Sequence, residues 1–124
     1  MAILGIGVDV VELARIANVC EKYENFGERL FTEQERKRCF GLQPDIACIA
    51  ARFAVKEAVS KALGTGIGRV SWKDIETINT AAGAPMVQLY GEASDLAEKM
   101  GVKTIHCSIS HERSVAVAMI ILEG

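Results

Sequence analysis

Aromatic residues make up only 6% of the 124 positions, and the chain holds two prolines and two histidines. So few large rings leave an aliphatic, alanine-rich core as the means of burial, the kind that lets helices lie close on a sheet. No apolar run approaches the ~20 residues that cross a bilayer as a helix, and no basic leader opens the chain, so the expected location is cytoplasmic. An excess of positive charge is missing as well. Fourteen Lys and Arg stand against 16 Asp and Glu, a formal net charge of −2 that argues against a nucleic-acid binder. The four cysteines, Cys20, Cys39, Cys48 and Cys107, share no CxxC spacing and fall within apolar patterns. We therefore expect reduced packing residues, with neither a disulfide framework nor a zinc site.

What is present is hydrophobicity: half of the residues are apolar, and the mean hydropathy is positive. In a short chain that predicts extra burial between subunits, on top of a single domain spanning residues 1–124.

Residues 2–11 alternate as a strand, with Leu4, Ile6, Val8 and Val10 on one face and Gly5, Gly7 and Asp9 on the other. The glycines predict open space around the Asp9 carboxylate, enough for close approach of a ligand or a backbone. From Glu12 the period becomes helical through Leu13, Ile16, Val19, Cys20 and Tyr23, ending near Phe26-Gly27. Thr32-Glu-Gln-Glu35 reads as a capping box for a helix to about Leu42, and Asp45 as the N-cap of a long helix over 46–63. Strands are expected over 74–78, 86–90, 104–110 and 115–122, with a short helix over 92–100 closed by Gly101. The class this predicts is α+β, an antiparallel sheet packed against a long central helix and shorter helices.

The long helix carries the chemistry. Arg52, Lys56 and Ser60 share one row, and like charges at i, i+4 repel unless an anion or carboxylate lies between them. On the adjacent row stand Phe53, Glu57 and Lys61, the last two spaced as an i, i+4 ion pair. Asp9 must meet a cation, a metal or solvent; with Glu57 it forms the kind of carboxylate pair that Mg²⁺ uses alongside water and substrate phosphates. Gly64-Thr-Gly-Ile-Gly68 follows a helix, so it is neither a P-loop nor a dinucleotide fingerprint, but it lets a ring or phosphate approach the backbone. His106, Ser108 and Ser110 share one strand face, and His111 lies at the turn with Arg113, where a donor pair could meet a phosphate. A non-catalytic binding module for a nucleotide or coenzyme A thioester, and a hydrolase built on Ser110 and His111, are the competing readings.

Together Gly5-Ile-Gly-Val-Asp9, Arg52-Phe-Ala-Val-Lys-Glu-Ala-Val-Ser-Lys-Ala-Leu-Gly-Thr-Gly66, Asn79…Gly83-Ala-Pro85 and Ser108-Ile-Ser-His111 closely resemble the holo-(acyl-carrier-protein) synthases. These are the short type of 4′-phosphopantetheinyl transferase, and the likeness runs from end to end. It implies their fold and their reaction: transfer of 4′-phosphopantetheine from coenzyme A to a serine of an apo acyl carrier protein, in support of fatty acid biosynthesis. It further implies Mg²⁺ on Asp9 and Glu57, with Asp9, Glu57 and Lys61 catalytic. Glu57, directly or through a metal-bound water, is the base for the serine hydroxyl. Coenzyme A contacts fall to Arg52, Phe53, Lys56, Lys61, Gly64, Thr65, Gly66, Pro85, Ser110 and His111, with Arg52 and His111 on the 3′-phosphate or ribose. Family members are homotrimers with active sites between subunits, and the acidic carrier docks on the first helix. Here Arg15, Lys22 and Arg29 fit that role around Phe26, although Glu12, Glu21, Glu24 and Glu28 dilute the charge. Ala84 stands where a lysine often precedes the proline.

Overall fold

Short-range signals set the helix boundaries. The Thr32 hydroxyl accepts from the Glu35 N–H while the Glu35 carboxylate accepts from the Thr32 N–H, closing the capping box that starts α3 (Glu33–Cys39). Asp45 Oδ1 accepts from the Cys48 N–H at 3.1 Å and starts the 17-residue α4 (Ile46–Ala62). Gly101, at φ 84°, closes α5 (Gly91–Met100) in the left-handed conformation. The segment after β1 (Ile3–Glu12) departs from expectation. α1 (Leu13–Lys22) stops before Tyr23, and Phe26 opens a separate five-residue helix, α2 (Phe26–Leu30).

The computed structural model describes residues 1–124 and bears out the α+β class. The remaining strands are β2 (Ile75–Asn79), β3 (Pro85–Leu89), β4 (Thr104–His111) and β5 (Val115–Glu123). They form two antiparallel sheets where we expected one: a three-stranded sheet in the order β1-β5-β4, and the β2-β3 hairpin. Between them runs α4. Its Ile49, Ala50, Ala54, Val55, Ala58 and Val59 are fully buried, so the helix is covered along most of its length and anchors a core of 23 residues.

Small residues let α4 approach β1. A Cβ added to Gly7 would lie 1.8 Å from the Ala58 carbonyl oxygen, and one on Gly5 would lie 2.1 Å from that of Ala62. The bare face of β1 is thus filled by helix backbone: of the two close approaches expected there, a ligand or a backbone, the glycines serve the backbone. The opposite face stays uncovered: Ile6, Val8 and Val10 are 62%, 51% and 59% exposed, and Met119 continues the patch on β5.

The cysteine expectation also needs correction. Cys39, at the end of α3, and Cys48, in the first turn of α4, form a disulfide with Cα atoms 5.5 Å apart. The turn between them reverses the chain, with the Asp45 N–H donating to the Cys39 carbonyl at 2.8 Å, and brings the two sulfurs together. Cys20 and Cys107 remain thiols, and burial pushes the Cys107 thiol up to about 11. The bridge closes a short loop, so reducing it is expected to lower unfolding stability by about 2–3 kcal/mol. Urea unfolding with and without dithiothreitol measures this; superimposable curves would show that the bridge contributes nothing.

Candidate active site

Strand alternation turns Asp9 toward α4, in a cross-strand row with Ala118 of β5 and Ile109 of β4. Its side chain is 16% exposed, and Lys61, near the end of α4, reaches over to it, with Nζ 3.2 Å from Asp9 Oδ1 and donating to the Val8 carbonyl at 3.0 Å. Lys61 therefore bridges helix and strand; the expected ion pair within the helix, Glu57 to Lys61, is not formed. Glu57 lies one turn earlier on α4. Burial first, and then the charge of Asp9, push its carboxyl above the usual carboxylate range, against the opposing pull of Lys61 and Arg15.

Two carboxylates that repel one another along the β1–α4 seam form an oxygen donor set suited to a hard divalent cation. Their repulsion has a measurable consequence. A carboxyl whose folded-state pKa is raised favours the fold while protonated and loses that contribution as pH rises through the folded pKa. Without divalent cations, Glu57→Gln is thus expected to raise the melting temperature at neutral pH, with the two proteins converging below about pH 4. A variant less stable than the parent at neutral pH would contradict the repulsion.

Arg52 lies on the other side of α4. It is 5% exposed, donates through Nη2 to Asn79 Oδ1 at 2.8 Å and through Nη1 to the Cys48 carbonyl at 3.3 Å. Asn79 in turn donates to the Gly83 carbonyl at 3.0 Å, which ties Arg52 to the turn before Pro85. These groups line a cavity of about 660 Å³ with Arg38, Asp45 and His111. Beyond the other end of the helix, Gly64, Gly66 and Gly68 all take positive φ, and nothing stands where their side chains would be. Conformation, not space, excludes other residues there.

Three assigned residues lie elsewhere. Lys56 is fully buried: its Nζ lies 2.8 Å from the carboxylate of Glu35, also fully buried, and donates to the carbonyls of Trp72 and Ile75. Glu35 is thus the carboxylate that meets Lys56, which is not free to meet a phosphate, whereas Arg52 bonds to Asn79 and Cys48. Ser110 shares the outward row of Val10 and Val117, on the face opposite His111, which also removes the Ser110–His111 nucleophile pair. Phe26 is 9% exposed and packs edge-on against Phe31, so it is no surface anchor. Phe53 is buried too. It stacks on Trp72, and the Arg15 guanidinium lies 5.7 Å above its ring. Arg15, Lys22 and Arg29 are exposed, and Thr65, Gly66 and Pro85 half-exposed.

The family model described as "4′-phosphopantetheinyl transferase superfamily" matches residues 5–119. A holo-[acyl-carrier-protein] synthase from Natranaerobius thermophilus is 48% identical over 97% of each chain. The chain belongs to this family. Among solved structures, the holo-(acyl-carrier-protein) synthase of Bacillus anthracis in complex with CoA (3′,5′-ADP) superposes with a TM-score of 0.82 at 42% identity, covering 98% of this chain and 97% of that one. That of Helicobacter pylori in complex with coenzyme A gives 0.82 at 34% identity, over 95% and 99%.

Within this holo-(acyl-carrier-protein) synthase fold, the sequence pattern marks no site role for Arg38 or Glu35, and shows Asn79 only as the start of the Asn79…Gly83-Ala-Pro85 motif. Arg38 stands in the run Arg36-Lys37-Arg38, with nothing local to separate it from its neighbours. Asn79 bonds across 27 residues to Arg52. Glu35 was read only as a cap; its span of 21 residues to Lys56 has no signature along the chain.

Proposed function

We propose that this chain transfers 4′-phosphopantetheine from coenzyme A to a serine hydroxyl of an apo acyl carrier protein, releasing adenosine 3′,5′-bisphosphate. The observation that carries this reading is the convergence of Asp9, Glu57 and Lys61 on one seam, in a chain whose relatives are holo-[acyl-carrier-protein] synthases.

In the reaction the serine oxygen forms a bond to the β-phosphorus of the pyrophosphate, and the bond from that phosphorus to the bridging oxygen breaks. The serine proton leaves to a base, and the electron pair leaves with the nucleoside bisphosphate. Positioning and neutralisation of charge are the main demands of such a transfer. Asp9 and Glu57 are the residues that would hold Mg²⁺, which when bound supplies Lewis acidity and neutralises charge on the phosphate oxygens. Lys61, half-exposed beside Asp9, provides a cation for the pyrophosphate. Glu57 is also the residue we assign to take the hydroxyl proton. Arg52, held by Asn79, and His111 receive the phosphorylated ribose, with the Gly64-Thr65-Gly66 turn and Pro85 toward the adenine.

The uncovered aliphatic face of β1 and β5 supports a homotrimer, with active sites between subunits and the carrier docked by Arg15, Lys22 and Arg29. No helix is long and apolar enough to cross a membrane, and we place the enzyme in the cytoplasm. Intact-mass analysis of several apo carriers incubated with coenzyme A, Mg²⁺ and this protein tests the transfer. A phosphopantetheine mass gain is expected; its absence from every carrier would end this reading.

A further inference from the structure

The cavity lined by Arg52 and His111 has an unbalanced set of charges. Two guanidinium groups, Arg38 from the last turn of α3 and Arg52 from α4, face it with the single carboxylate of Asp45. That carboxylate is already engaged as the cap of α4. Arg38 enters none of the salt bridges of the molecule, whereas its neighbour Lys37 is paired with Glu33 at 3.2 Å. Arg52 is more than nine-tenths buried, yet its Nε has no hydrogen-bond partner. Burial and then the like charge of Arg38 hold its guanidinium below the ordinary value, with Glu35 and Asp45 opposing. Two cations lining one cavity, against a single carboxylate that is already engaged, are the features of a pocket organised for an anion.

A phosphomonoester fits this arrangement in charge and in shape. It carries about −1.5 to −2 charges at neutral pH and presents three acceptor oxygens, enough for two planar guanidinium forks and a neighbouring donor. A phosphodiester or pyrophosphate oxygen of the same ligand offers less charge per phosphorus and does not need the second arginine.

We propose that Arg38 is the residue by which this chain distinguishes a 3′-phosphorylated coenzyme from its 3′-dephospho form, acting across the cavity from Arg52 as the second guanidinium on the terminal phosphomonoester. The proposal rests on the assignment of coenzyme A as donor substrate. Arg38 sets specificity at the nucleotide end and takes no part in the transfer at the β-phosphorus. It comes from α3, outside the segments that carry the family motifs. In Arg52 both terminal nitrogens already donate within the protein, to Asn79 and to the Cys48 carbonyl, which leaves room for a second cation to add discrimination.

Calorimetric titration of the full-length protein with coenzyme A and with 3′-dephospho-coenzyme A tests this, using the parent, Arg38→Gln, Arg38→Lys and the control Lys37→Gln. Loss of a charge-assisted contact predicts that Arg38→Gln weakens coenzyme A binding by about 10- to 30-fold. Binding of the dephospho form should be unchanged, Arg38→Lys should recover part of the loss, and Lys37→Gln should behave as the parent. An equal loss on both ligands, or no loss on coenzyme A, overturns the role of Arg38. Either result is compatible with phosphopantetheine transfer by the parent. A parent that binds neither ligand removes the donor assignment, and this proposal with it. Arg38 is exposed at the end of α3, so the variants should melt with the parent, and their thermal unfolding is recorded alongside.

Discussion

Asp9→Ala and Glu57→Ala are each expected to lower phosphopantetheine transfer by on the order of 10³-fold while the protein stays folded. Each carboxylate is half of the proposed donor set, and under that proposal its loss leaves the pyrophosphate with less charge compensation as the serine attacks. The fold has little reason to fail. The Asp9 to Lys61 contact involves a half-exposed lysine, a class of pair worth about 0–1 kcal/mol. Glu57 is opposed by its surroundings, and its removal relieves them. Transfer rates from carrier mass spectra, with melting temperatures beside them, separate chemistry from stability. Parent-like rates in either variant would show that the metal site lies elsewhere.

The second large effect concerns stability. Glu35 joins three elements: one carboxylate oxygen takes the Lys56 ammonium at 2.8 Å and the Thr32 N–H at 3.0 Å, and the other takes the Thr77 N–H of β2 at 3.0 Å. Glu35→Ala would leave the Lys56 ammonium fully buried without a counter-ion. Breaking such a pair on one side costs about 3–5 kcal/mol, a large share of the 5–15 kcal/mol typical of a domain. Glu35→Gln combined with Lys56→Met removes both charges, keeps an acceptor for one of the two backbone N–H groups and should recover part of the loss. Urea unfolding of the single and double variants gives the comparison. A Glu35→Ala protein within about 1 kcal/mol of the parent would mean that Lys56 finds other compensation.

Glu35 also marks the boundary of what the sequence reveals. Its role as a helix cap is written in Thr32-Glu-Gln-Glu35, because a capping box closes within four residues. The caps at Asp45 and Gly101 and the alternation of β4 are local in the same way, and all were legible. Its partnership with Lys56 was not. The row of Arg52, Lys56 and Ser60 correctly demanded an anion, but helix periodicity cannot say whether that anion belongs to a ligand or to the protein. The disulfide escaped for a related reason: Cys39 and Cys48 sit in two helices, and only the turn between them makes them neighbours. For Phe26 the helix break after Lys22 has no clear signal in the sequence, which turned a core ring into an apparent surface anchor. In the site, Asp9 and Glu57 stood out because a carboxylate is unusual in such apolar company. Arg38 and the contact of Asn79 did not, since a surface arginine and an asparagine at a strand end are ordinary until a cavity joins them to Arg52.

The close approach of α4 to β1 separates two ideas that screens for essential residues tend to merge. Gly5 and Gly7 carry no chemistry, yet the Ala62 and Ala58 carbonyl oxygens occupy the space that any side chain there would need. A tolerance map of the chain would rank both glycines with Asp9 and Glu57 as intolerant of change. The two classes part only when abundance is scored beside activity: inactive carboxylate variants accumulate as folded protein, whereas glycine variants disappear.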